Sequence, residues 1–197
     1  MVASVSTRAW QRMLSGRRLD LLDPSPLDIE IEDVALGLSR VARWNGQTSG
    51  RHAFSVAQHS VLVLDIVGKS KTAAPRALRL AALLHDASEY VTSDLITPFK
   101  AALGPEYKAV EKRVQAAANL RFGLPGVLPE AWTREIKRAD RIAAYVEATR
   151  LAGFTEHEAR RIFMFRGKDP GIDLQAWPAE RARVEFMERF TRLQPEE

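Results

Sequence analysis

The sequence predicts an all-α fold, and three observations carry that prediction. Apolar residues recur at three- and four-residue spacing through most of the chain. Proline, glycine and short polar residues cut this pattern into segments of helical length, several with a capping residue at the start. The stretches between them show neither a convincing hairpin nor a strand–helix–strand order. The expected result is a helical domain of seven or eight helices.

Pro24 and Pro26 set off an N-terminal segment, and Asp28 is placed to cap a helix over about 31–43. NGQTSG, residues 45–50, is a turn-rich loop. A helix over 53–67 (AFSVAQHSVLVLDIV) follows, although its β-branched residues weaken the assignment. Pro75 can occupy the first turn of a helix running to about 90. A loop containing Thr97-Pro98 then leads to a helix over about 105–122. Pro129 precedes another over about 130–152, which Gly153 ends. Thr155 and Glu158 make a capping box for a short helix. The last helix covers about 178–192, where Val184, Phe186, Met187 and Phe190 suit closure of the core.

The bulk properties narrow the function classes. A chain of 197 residues is long enough for one domain with a sizeable core and short for two, so a single domain is expected over 1–197. With no cysteine, disulfides and thiolate metal sites are excluded, and any metal must use His and carboxylate ligands. There is no signal-peptide core in the first ten residues and no run approaching the roughly 18 apolar residues of a membrane span. A cytoplasmic protein without membrane association is the expectation. The formal charge of +4 suits anionic small molecules. No single-sign block, stacking motif or zinc finger points to a nucleic-acid polymer.

The chemically telling residues are ionisable groups in apolar helices. His85 and Asp86 sit in LRLAALLHDASE beside Leu83 and Leu84, where burial is costly without compensation. Glu89 lies four residues after His85 and three after Asp86, and repulsion between the two carboxylates raises a pKa or demands a cation. His59 has Val56, Leu62 and Val63 on its helical face, so it points toward the core. Taken alone, it reads first as a satisfied core histidine, ahead of a ligand. Asp140 has Ile136, Ala143 and Ala144 on its face, and an ion pair with Lys137 is the structural alternative to a ligand role. The intervals between these residues do not themselves require convergence; brought together, two imidazoles and two carboxylates would make an N₂O₂ set suited to Mn, Co, Fe, Ni or Zn rather than Ca or Mg.

Several ordered blocks resemble the HD-domain metal-dependent phosphohydrolases, within them the bacterial 5'-deoxynucleotidase-like branch. They are IEDVALGLSRVARWNG, FSVAQHSVLVL, LRLAALLHDASE with SDLITPFK, EYKAVEKRV, and IKRADRIAAYVEA, together spanning about 28–152. The resemblance makes 28–152 a catalytic core with a C-terminal helical extension over 153–197. It implies that one divalent ion is held by His59, His85, Asp86 and Asp140. It also implies catalytic roles for Glu89 and Asp94 and substrate contacts by Arg43 and Trp44, with Thr97 and Pro98 shaping the pocket wall. The substrate it implies is a deoxyribonucleoside 5'-monophosphate, and the assembly a homodimer. A deoxynucleoside triphosphate hydrolase of the same fold is the alternative, and a non-catalytic metal- or nucleotide-binding protein the alternative from another class. Three departures stand out: Ser93 replaces the glycine of a commoner GDL, Gln58 replaces a glutamate before the first ligand, and the NGQTSGRHAF linker is longer.

Overall fold

The computed structural model describes residues 9–69 and 74–194, so both ends of the domain expected over 1–197 lie outside the described residues. The architecture is helical, with nine α-helices among the described residues. At its centre is α2 (Val56–Gly68), buried on nearly every side. It packs against α1 (Ile31–Arg40), α3 (Arg76–Leu83), α7 (Glu130–Arg150) and α9 (Ala179–Arg192). A helix apolar all round belongs in the interior, and there packing overrides the weak helix preference of its valines. Ser55 starts it, its Oγ accepting from Gln58 N at 3.2 Å. No helix among the described residues is long and apolar enough to cross a membrane.

The helix expected to run to about 90 is interrupted. It divides into α3 and a short α4 (Glu89–Thr92), joined by the turn at 84–88. Through this turn the amides of Ala87 and Glu89 bond three residues back, to Leu84 O and Asp86 O, each at 3.0 Å. The break is stabilised from α6 (Pro105–Arg121): Gln115 Nε2 donates to Leu84 O at 2.8 Å, and Gln115 Oε1 accepts from Ser88 N at 3.1 Å. One side-chain amide thus satisfies the Ser88 N–H freed by the interruption and gives Leu84 O a second donor beside Ala87 N. The short α4 crosses α1 at Gly37, where an added Cβ would lie 2.7 Å from Tyr90 Cβ.

Other expectations need correction. Thr97-Pro98 is not loop but the first turn of α5 (Thr97–Leu103), where proline's missing N–H costs nothing. Asp28 does not cap α1. It closes a 3₁₀ turn, Pro26–Asp28, while Glu30 precedes α1 without a side-chain cap and pairs with Arg17 and Arg121. The first helix ends at Arg40, and Arg43–Gly46 form a separate 3₁₀ turn. A hairpin does exist, β1 (Trp10–Arg12) with β2 (Arg18–Asp20), antiparallel. Its only fully inward residue is Leu19, too little for a visible alternation.

Toward the C-terminus, α7 is followed by α8 (Glu156–Ile162), whose Thr155–Glu158 capping box is present in both halves. Residues 163–178 run without regular helix back to α2. There Gln58 Nε2 donates to Gln175 O at 2.7 Å and Gln58 Oε1 accepts from Trp177 N at 2.8 Å. α9 places Ala182, Phe186 and Phe190 in the same core as α1 and α2, while Val184 stays largely exposed.

Candidate metal centre

Three separate segments bring four donor atoms together beside α2. His59 lies in the middle of α2, His85 and Asp86 in the turn after α3, and Asp140 on α7. His59 Nε2 is 3.3 Å from His85 Nε2, 3.2 Å from Asp140 Oδ1 and 3.5 Å from Asp86 Oδ2. His85 Nε2 is 3.2 Å from Asp86 Oδ2. The broken helix matters here, because the turn lets the adjacent side chains of His85 and Asp86 converge. Asp140 faces His59 rather than forming the alternative ion pair with Lys137, which is exposed. His59 is fully buried, and Asp140 is the most solvent-open member of the four.

The donor set fits a divalent transition-metal ion. His85 Nδ1 lies 2.9 Å from Ala82 O, which can only accept, so Nδ1 carries the proton and Nε2 presents a lone pair. His59 Nδ1 lies 2.5 Å from Glu147 Oε1, which leaves His59 Nε2 as the nitrogen turned to His85, Asp86 and Asp140. Donor atoms of His59, His85 and Asp140 all lie within 4.8 Å of one another, with Asp86 Oδ2 against both imidazoles, and carboxylates packed this closely call for positive charge beside them. Burial and Arg43 oppose a charge on His59, yet Glu147 and Asp140 outweigh them and push its pKa up to about 10. Burial also works against charge on Asp86, but His85, His59 and Arg43 hold that carboxyl well below the usual range.

Glu89 opens α4 at the edge of this cluster. Its Oε1 is 3.4 Å from Lys100 Nζ, which in turn donates to Glu111 Oε1 at 2.9 Å. Its Oε2 is buried without a hydrogen-bond partner among the described residues. Burial, then Asp86 and Asp94, pushes its pKa up to about 9 against the pull of Lys100 and Arg43. It is thus a carboxyl group whose charge state depends on a nearby cation. Asp94 follows Ser93, whose backbone is left-handed (φ 65°, ψ 157°), and its Oδ2 accepts from Arg43 Nη1 at 3.4 Å. Pro98 is exposed in the first turn of α5, the helix that brings Lys100 to Glu89; Thr97 begins that turn.

Arg43 and Trp44 meet at a residue that the sequence reading passed over. Glu147 is fully buried on α7, seven residues and so two turns beyond Asp140 on the same face. Its Oε2 accepts from Arg43 Nε at 3.2 Å, Arg43 Nη2 at 3.1 Å and Trp44 Nε1 at 2.9 Å. Burial disfavours its charge, but Arg43 and His59 prevail and lower its pKa to about 2. One edge of the Arg43 guanidinium is therefore spent on Glu147, and its Nη1 side is turned to Asp94. The Trp44 ring packs against Phe154 and Phe163, with centroids 5.7 Å from each. YVEA within an apolar helix face is the same kind of anomaly as LLHD, and that signal was available in the sequence.

Comparison with known proteins shows the family and the fold. A family described as 5'-deoxynucleotidase YfbR-like matches residues 36–161. An uncharacterised protein of Rhodobacter capsulatus is 55% identical over 187 residues, covering 92% of this chain and 94% of its own. The 5'-deoxynucleotidase YfbR of Salmonella paratyphi B is 38% identical over 84 residues, 36% of this chain and 42% of that protein. Among solved structures, the HD phosphohydrolase DatZ of cyanophage S-2L, bound to dA and one catalytic Zn²⁺ ion, superposes with a TM-score of 0.52. It is 22% identical and covers 83% of this chain and 95% of its own, a likeness of fold.

Proposed function

Because the chain belongs to the YfbR-like 5'-deoxynucleotidase family of HD-domain phosphohydrolases, we propose that it hydrolyses deoxyribonucleoside 5'-monophosphates to deoxyribonucleosides and phosphate. The observation that carries this reading is the convergence of His59 Nε2, His85 Nε2, Asp86 and Asp140 beside a buried, half-satisfied Glu89. These four residues would hold one Mn, Co, Fe, Ni or Zn ion. Bound there, the ion supplies Lewis acidity, making hydroxide accessible near neutral pH and neutralising charge on the phosphate.

The protein's own groups divide the remaining work. Lys100 holds Glu89 Oε1, which leaves Oε2 free to orient the attacking water and take its proton. The water oxygen bonds to phosphorus, the bond from phosphorus to the 5' oxygen breaks, and the leaving oxygen receives a proton. Asp94 and Arg43 Nη1, paired at 3.4 Å, position that oxygen or the sugar hydroxyl. Trp44 shapes the pocket wall while fixed to Glu147.

Charge at the site favours a monophosphate over a triphosphate. Glu89, Asp94 and Glu147 add to the negative charge of Asp86 and Asp140 in the cluster, and Arg43 and Lys100 beside them are each paired with two carboxylates. A triphosphate would need further basic groups to offset its charge. The test is phosphate release from dNMP, NMP and dNTP panels with and without Mn²⁺ or Co²⁺, with Asp86→Ala as control. Metal-stimulated orthophosphate from dNMPs is expected. No metal-stimulated release from any nucleotide, or undiminished activity in Asp86→Ala, would overturn the reading.

A further inference from the structure

Glu147 faces two ways from one buried position. Oε1 meets the imidazole of His59, and Oε2 collects three N–H donors from Arg43 and Trp44. A buried carboxylate is costly unless its lone pairs are used, and here both oxygens are. The partners come from far apart in sequence, 88 residues away for His59 and 104 for Arg43. Trp44 reaches it from a left-handed backbone conformation (φ 57°), which a tryptophan adopts only against a steric cost.

We propose that Glu147 is a positioning residue that joins the metal ligand His59 and the Arg43–Trp44 pair into one unit, so that metal affinity and nucleotide binding depend on the same carboxylate. This rests on the reading of His59 as a metal ligand. Accepting the proton of Nδ1 holds His59 in the tautomer whose Nε2 lone pair faces His85, Asp86 and Asp140, and makes that nitrogen more basic. His85 has only the neutral carbonyl of Ala82 in the same role. On its other side, Glu147 fixes the Nε edge of Arg43 and thereby directs Nη1 toward Asp94.

Glu147→Gln tests the proposal with little change of shape. An amide keeps one acceptor. If its oxygen stays with Arg43 and Trp44, its NH₂ faces His59 Nδ1 and forces the opposite tautomer, placing a proton on Nε2 where the metal binds. Titration of the metal-free protein with Co²⁺, read by visible absorption, should show affinity reduced 10- to 100-fold. At saturating metal, KM for the dNMP substrate should also rise. A residue that only supports the fold would lower Tm and leave the metal Kd in place, so a folded Glu147→Gln protein with Kd within 3-fold of wild type overturns the proposal. If that variant does not fold, nitrogen chemical shifts of the Zn²⁺-loaded wild-type protein decide. His59 should be protonated at Nδ1, and the reverse overturns the proposal. Wild-type protein that binds Co²⁺ without hydrolysing any nucleotide defeats the nucleotidase reading alone. Wild-type protein that binds no divalent metal defeats both.

Discussion

Replacing Ser93 by glycine should stabilise the protein, although it removes atoms from the loop leading to Asp94. Ser93 has φ 65° and ψ 157°, a combination that glycine tolerates and a residue with a Cβ does not. Such a conformation costs a non-glycine residue about 1–3 kcal/mol. Against this, glycine loses roughly 0.5–1 kcal/mol more on folding because its unfolded chain is freer. The side chain is exposed, so little packing is lost. With mid-range values, about 2 kcal/mol of strain relieved less about 0.8 kcal/mol of entropy lost, the net gain is about 1 kcal/mol. For a chain of this size that is a rise in Tm of roughly 2–4 °C. The assay is thermal unfolding by circular dichroism, with urea unfolding to confirm an unchanged m value. Ser93→Ala is the control, since alanine keeps the strained Cβ and should gain nothing. Equal Tm for Ser93→Gly and wild type, or an equal gain from Ser93→Ala, would refute the reasoning.

The second departure from the family pattern should behave in the opposite way. Gln58→Glu restores the commoner residue but sets a carboxylate against Gln175 O, where the amide now donates at 2.7 Å; a loss of about 1–3 kcal/mol is expected in urea, with faster proteolysis within 163–178. Gly37→Ala puts a methyl 2.7 Å from Tyr90 Cβ and 2.9 Å from Tyr90 O, so α1 and α4 must separate. Overpacking of about 1–3 kcal/mol outweighs roughly 1 kcal/mol of helix propensity, and kcat should fall because α4 carries Glu89; an unchanged kcat in a destabilised variant would dissociate the two. Saturating Mn²⁺ should raise the melting temperature, since ligand at 100 times Kd stabilises by about 2.7 kcal/mol, and the shift should vanish with chelator and in Asp86→Ala. A shift that persists in Asp86→Ala would place the ion elsewhere.

The two departures show where sequence reading succeeds and where it stops. The periodicity and the caps are local properties, and α2, α6, α7, the Thr155 capping box and α9 followed from them because each helix needs only its own face and ends. His85-Asp86 was legible for a related reason: ionisable groups beside leucines announce an energetic debt wherever their partners lie. What resolves that debt is not local. The turn that splits α3 from α4 is held by Gln115 from another helix, and its bonds run to residues 31 and 27 positions away. Glu147 carries the same announcement as His85-Asp86, but its meaning depends on Arg43 and His59 arriving from distant segments. Gln58 looked like the loss of an acid beside a ligand, whereas in the fold it is an amide chosen for two backbone partners that require one donor and one acceptor. The sequence therefore exposes which groups need compensation, and the tertiary structure determines which compensation they receive. At this site the two meet in a single carboxylate, Glu147, and it is there that a substitution should move metal binding and substrate binding together.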